Sequence, residues 1–138
     1  MSTPGKRRND IVQNQPDMEK MKPLFIQYPT CGTCRKAAQW LKTNGVAVVT
    51  RHIVEENPTR DELSQWIDRS GLPVSKFFNT SGLVYKEQNL KEQVGTASRD
   101  ELLDMLASNG MLVKRPIVVT DDFVLVGFNE IEWKNKLG

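Results

Sequence analysis

The order in which strand-like and helix-like segments alternate constrains this chain most. Leu24-Phe25-Ile26-Gln27-Tyr28 is a short apolar run that reads as a buried strand. Pro29-Thr30-Cys31-Gly32-Thr33 makes a turn. From Cys34 the spacing becomes helical, with Ala37, Ala38 and Leu41 on one face and Asn44-Gly45 as the stop. Val46 to Val54 is rich in β-branched residues and reads as a second strand. Two strands joined through a helix pair in parallel, because a tight turn can serve only an antiparallel pair.

Helical signals then accumulate. Thr59-Arg60-Asp61-Glu62 has capping-box spacing and opens a helix through Leu63, Trp66 and Ile67 to Gly71. Pro73 suits the first turn of a short helix through Phe77 and Phe78. A polar loop at Asn79-Thr80-Ser81-Gly82 leads into a weak helical segment near Tyr85 to Val94. Ser98-Arg99-Asp100-Glu101 is a second capping box, for a helix ending at Asn109-Gly110. Pro116 precedes a third strand, Ile117-Val118-Val119, and Thr120-Asp121-Asp122 turns it into a fourth, Phe123 to Val126, as a hairpin. Asn129, with Glu132 three residues on, caps a last helix through Ile131, Trp133 and Leu137. The expectation is an α/β sandwich of order β-α-β…β-β-α, with a helical insertion between the second and third strands.

With 138 residues the chain has room for one ordinary domain. Residues 1–20 hold two prolines and no aromatic side chain, and they are expected to form a disordered tail ahead of a domain over 21–138. Met18 or Met21 is an alternative start. The 19 basic and 17 acidic residues leave a formal charge of only +2. That balance argues against direct nucleic-acid binding or an anionic membrane surface as the main role. Lys6-Arg7-Arg8 reads as a solvated charge run. No run of about 18 apolar residues offers a membrane span, and no apolar stretch makes the basic start a secretory signal. The cytoplasm is the default location, and a monomer the default state.

Two cysteines, Cys31 and Cys34, and one histidine, His52, are all the chain has of either type. This excludes a disulfide scaffold and a four-thiolate zinc site within one chain. Cys31-Gly32-Thr33-Cys34 sits where a strand hands over to a helix. Unpaired backbone N–H groups and the helix dipole there favour thiolate over thiol, and Arg35 and Lys36 follow at once. Cys31, ahead of the helix, is the expected nucleophile, and Cys34, one turn on, the resolving thiol. Competing readings are half a zinc site completed by His52 and a carboxylate or a second chain, two inert buried cysteines, and a redox sensor without turnover. Arg115 can reach an anion held over the Cys31 loop, and Pro116 after it pins the backbone, often in the cis form. His52 in a strand reads as structural, and Trp40, Trp66 and Trp133 as packing anchors. Asp121-Asp122 reads as turn chemistry. No cofactor motif is present, so no bound cofactor is expected.

Tyr28-Pro29-Thr30-Cys31-Gly32-Thr33-Cys34-Arg35-Lys36, Phe77-Phe78-Asn79-Thr80, Lys114-Arg115-Pro116-Ile117-Val118 and Val126-Gly127-Phe128-Asn129-Glu130 occur in this order. Together they resemble the ArsC/Spx family: glutaredoxin-coupled arsenate reductases and their Spx-type regulator relatives. The likeness runs from about Met21 to the C-terminus. It implies a thioredoxin-like fold, a cis Pro116, Cys31 as catalytic cysteine and Arg115 as oxyanion-binding arginine; Arg35, from its place directly after Cys34, is the other expected substrate- or oxyanion-binding residue. Glutathione, glutaredoxin or thioredoxin is the implied reductant. The arsenate reductases carry arginine at the positions of Asn79 and Gly127, and usually serine at that of Cys34. Fewer cations speak against arsenate itself, and the second cysteine favours an internal disulfide. The resemblance therefore implies a thiol–disulfide redox protein. Its alternative is an Spx-type redox-sensing regulator that binds the C-terminal domain of the RNA polymerase α subunit. Gly71 is the nearest counterpart of a glycine that matters there, against its plain reading as a helix C-cap.

Overall fold

The strands obey a strict period of two, and that period divides the protein into two cores. In the computed structural model, which describes residues 22–80 and 82–138, β1 (Leu24–Gln27) is the central strand from which the sheet is built. It is followed by α1 (Gly32–Thr43) and β2 (Val49–His52), and β2 pairs with β1 in parallel from Leu24↔Val49 to Gln27↔His52. β3 (Ile117–Val119) pairs antiparallel with the other side of β1, and β4 (Val124–Val126) with β3, giving the order β2-β1-β3-β4. The tail expected over residues 1–20 lies outside the described residues.

Phe25, Val118 and Leu125 form one row across the sheet and point to a smaller core. Ala37 and Leu41 of α1 close it, with Trp133 of α6 (Glu130–Leu137). On the opposite face Ile26, Ile117, Val119 and Val124 meet the inserted helices. These are α2 (Arg60–Ser70), a 3-10 turn at Val74–Phe77, α3 (Leu83–Glu87), α4 (Leu90–Thr96) and α5 (Arg99–Ser108). The expected β-α-β, helical insertion and β-β-α order is the order found.

Both capping boxes form, at Thr59 with Glu62 and at Ser98 with Glu101, and Gly71 ends α2 in the left-handed conformation (φ 73°). Pairing spans only Val49–His52 of the expected second strand, because β1 offers four residues to pair with. The weak helical segment near Tyr85 divides into α3 and α4. Asn89 adopts φ 53° between them, a conformation Asn tolerates better than most side chains. Trp66 and Trp133 are buried anchors and Trp40 is half-buried. Arg51 of β2 grips Glu62 of α2 with two bonds of 2.7 and 2.8 Å, tying the insertion to the sheet edge. Gly110 packs against the backbone of Ile53, where an added Cβ would sit 2.9 Å from that carbonyl carbon.

Candidate active site

One residue at the end of β1 organises the thiol pair. The Tyr28 carbonyl accepts the Cys31 N–H at 2.9 Å, holding Cys31 as the N-cap of α1 with extended backbone (φ −76°, ψ 126°). The Tyr28 N–H points back to the Cys34 sulfur at 3.4 Å. Cys31 is half-buried, whereas Cys34 is fully buried, and both are free thiols. Cys31, the expected nucleophile, is thus the more exposed of the two.

The environments push the two thiols apart. Burial raises the Cys31 thiol, but the Cys34 N–H and thiol, the Thr33 N–H and the Arg115 guanidinium more than offset it, so its pKa is lowered. For Cys34 burial dominates and the Cys31 charge adds to it; the Tyr28 N–H opposes them, and the pKa is pushed up to about 12. Of the two sulfurs, the half-buried Cys31 is therefore the one that ionises first. Iodoacetamide should alkylate Cys31 with a half-maximal rate below the free-thiol value of about 8.5. The rate should fall as pH drops through that lowered pKa, with Cys34 unmodified throughout. A midpoint at or above 8.5, followed by mass spectrometry of each cysteine, would contradict this assignment.

Cys31 opens into a cleft of about 510 Å³. Its opposite wall comes from chain segments remote from the cysteines. Lys114 and Arg115 precede β3, Gly127 and Asn129 lie between β4 and α6, and Asn79 follows the 3-10 turn. Backbone bonds hold these segments side by side: Asn79 N–H to Leu112 O and Lys114 N–H to Phe77 O, both 2.7 Å. The Gly127 N–H reaches Pro116 O at 2.8 Å, and the Arg115–Pro116 peptide is cis. Arg115 stacks over Tyr28, its guanidinium carbon 5.0 Å from the ring centroid, and donates to Met111 O at 3.4 Å. Its Nε is buried with no hydrogen-bond partner among the described residues.

The structure separates residues that the sequence argument grouped. Arg115 lines the Cys31 cleft, but Arg35 and Lys36 line a neighbouring hollow with Trp40 and Glu130. The reason is geometric: both follow the N-cap on the exposed outer side of α1, so nearness in sequence does not turn them toward the sulfur. The guanidinium that acts on Cys31 is that of Arg115. Two cleft residues escaped the sequence argument as functional candidates, Lys114 and Asn129. A second cation directly before Arg115-Pro116 was the available signal for Lys114; Asn129 was read only as a cap, which it also is. His52 uses Nδ1 to accept the N–H groups of Val54 and Glu55, both at 3.1 Å, and stands edge-on to Tyr28. Among the described residues no three His, Cys, Asp or Glu side chains gather to hold a metal ion. No described helix is long and apolar enough to cross a membrane.

Comparison with known proteins gives consistent relatives. The ArsC family model matches residues 26–135. A crystal structure of an ArsC family related protein from Bacteroides fragilis superposes with a TM-score of 0.81 and 55% identity, covering 84% of this chain and 98% of that one. The uncharacterized protein YusI of Bacillus subtilis (strain 168) is 47% identical over 83% of this chain and 97% of its own length. The global transcriptional regulator Spx of Staphylococcus epidermidis is 30% identical over 81% of this chain and 83% of its own. The fold is that of the ArsC-type thioredoxin-like proteins.

Proposed function

The chain belongs to the ArsC family, and on that premise we propose that it is a thiol–disulfide redox protein with Cys31 as nucleophile and Cys34 as resolving thiol. The observation that carries this reading is the placing of the pair: Cys31 half-buried at the N-cap of α1 and open to a cleft shared with Arg115, and Cys34 fully buried one turn on. In the first step the Cys31 thiolate attacks a disulfide sulfur of the substrate, forming a mixed disulfide and releasing one thiolate, which takes a proton from solvent. Two influences that hold the Cys34 proton in place, the Cys31 charge and its hydrogen bond, vanish when Cys31 is spent. Cys34 then loses its proton to solvent and attacks Cys31 Sγ, releasing the second thiolate and leaving an internal disulfide. The substrate gains the two electrons the protein loses. Glutathione, glutaredoxin or thioredoxin restores the dithiol, in the reducing cytoplasm.

Arg115 supports this chemistry as a fixed cation with an unused buried donor, suited to an anionic group beside the reacting sulfur. The test is Cys34→Ser, with which a mixed disulfide to the attacked substrate should accumulate and persist, detectable as a mass adduct on Cys31. Rapid loss of the adduct without Cys34 would remove the resolving role.

The likeness to Spx favours a second reading, in which oxidation of the same pair switches binding to the C-terminal domain of the RNA polymerase α subunit. Gly71 and the partly exposed Leu72 at the end of α2 form the surface nearest to that role. A pull-down with that domain, on reduced and oxidised chain, decides it: binding in neither state dismisses the regulator.

A further inference from the structure

Gly127 and Lys114 occupy one place between them. The glycine lies at φ +78°, and a Cβ built on it would stand 3.1 Å from Lys114 Cε and 4.0 Å from Nζ. A side chain at position 127 would therefore press on the end of the lysine stem, which would have to give by a few tenths of an ångström. Both partners are anchored through the backbone, Lys114 by its N–H to Phe77 O and Gly127 by its N–H to Pro116 O and its carbonyl to Trp133 Nε1 at 3.1 Å. The bareness of the glycine thus leaves room for the end of the stem along the cleft wall.

The charge this brings is not cancelled. The described residues lining the cleft include Lys114 and Arg115 and no carboxylate, and Lys114 makes no salt bridge with a described acidic residue. A cleft with two cations, one thiolate and otherwise neutral walls discriminates by charge among molecules that reach the sulfur.

We infer that Lys114 is a specificity-determining residue that, with Arg115, selects small disulfides bearing carboxylates as partners for Cys31. The inference rests on the redox reading above and adds the substrate class. The bond changes are those already given: Cys31 Sγ joins one sulfur of the acidic disulfide, the other leaves as a thiolate, and Cys34 completes the two-electron reduction. A carboxylate near the scissile bond would meet both cations, and it would leave uncharged or cationic disulfides at a disadvantage.

The experiment uses the full reduced chain, unsubstituted and as Lys114→Gln and Lys114→Arg, in single-turnover reactions. Three probes differ in charge: oxidised glutathione (anionic), bis(hydroxyethyl) disulfide (neutral) and cystamine (cationic). Lys114 is exposed, so both variants should fold. In Lys114→Gln the rate ratio of oxidised glutathione to the neutral disulfide should fall about three- to tenfold, and the ratio for cystamine should rise. The arginine variant should keep the original order, and the difference should shrink at high salt. Equal slowing of all three probes, or ratios unmoved, would overturn the inference while leaving the redox reading intact. Reaction with none of them in the unsubstituted chain would overturn the redox reading, and this inference with it.

Discussion

Cys31→Ser is expected to lower thiol–disulfide exchange by at least about 10³-fold, because a serine hydroxyl is not ionised where the thiol is and cannot form the mixed disulfide. The fold should be untouched. The side chain is half-buried, and the bond that positions it, from its own N–H to Tyr28 O, belongs to the backbone. The contrast with Cys34→Ser makes the prediction specific. That variant should still complete the first attack once per molecule and then stop, whereas Cys31→Ser should not begin. Stopped-flow release of thiol from a neutral disulfide measures both. Residual exchange within about tenfold of the unsubstituted rate in Cys31→Ser would mean that the buried sulfur reacts by itself.

The largest effect on stability is expected at Trp133. Its side chain is fully buried, with ring centroids of Phe128, Trp40 and Phe25 at 4.9, 5.8 and 6.4 Å, all edge-on. Trp133→Ala should cost about 3–5 kcal/mol, the range for emptying a site of this size. It also leaves the Gly127 carbonyl without its indole donor. Trp133→Phe keeps most of the ring packing and loses the hydrogen bond, and should cost about 1–2 kcal/mol. Urea unfolding at fixed pH distinguishes the two. A loss below about 1 kcal/mol for the alanine variant would show that the smaller core collapses around the gap. The loop carrying Gly127 is part of the cleft wall, so the alanine variant should also react more slowly at Cys31 while still folded.

Much of this architecture was legible in the sequence because local rules and tertiary needs agree. The capping boxes at Thr59 and Ser98, the apolar run of β1 and the Ile117 to Val126 hairpin each carry their signal within a few residues. The thiol pair was equally local. Arg115 apart, what could not be read was contact between remote segments. Arg35 and Lys36 adjoin the cysteines in the chain and face another hollow, whereas Lys114 reaches the cleft from before β3. The Gly127 and Lys114 pairing is a matter of volume, and a glycine seen alone signals only a missing side chain. Sequence neighbours are a sound guide to a helix start and a poor one to the wall facing it.

The cleft is stitched from three stretches: the Cys31 turn, the Phe77–Asn79 segment, and the Lys114 to Asn129 region near the C-terminus. The influences that lower Cys31 are drawn from the first turn of α1 and from Arg115, so they exist together only when the last strands have joined the sheet. During synthesis, a nascent chain with β3 still inside the ribosome lacks the Arg115 contribution and has only those local to α1. The cationic wall that faces the thiol is therefore the last part of the site to be put in place, arriving with the strands at the end of the chain.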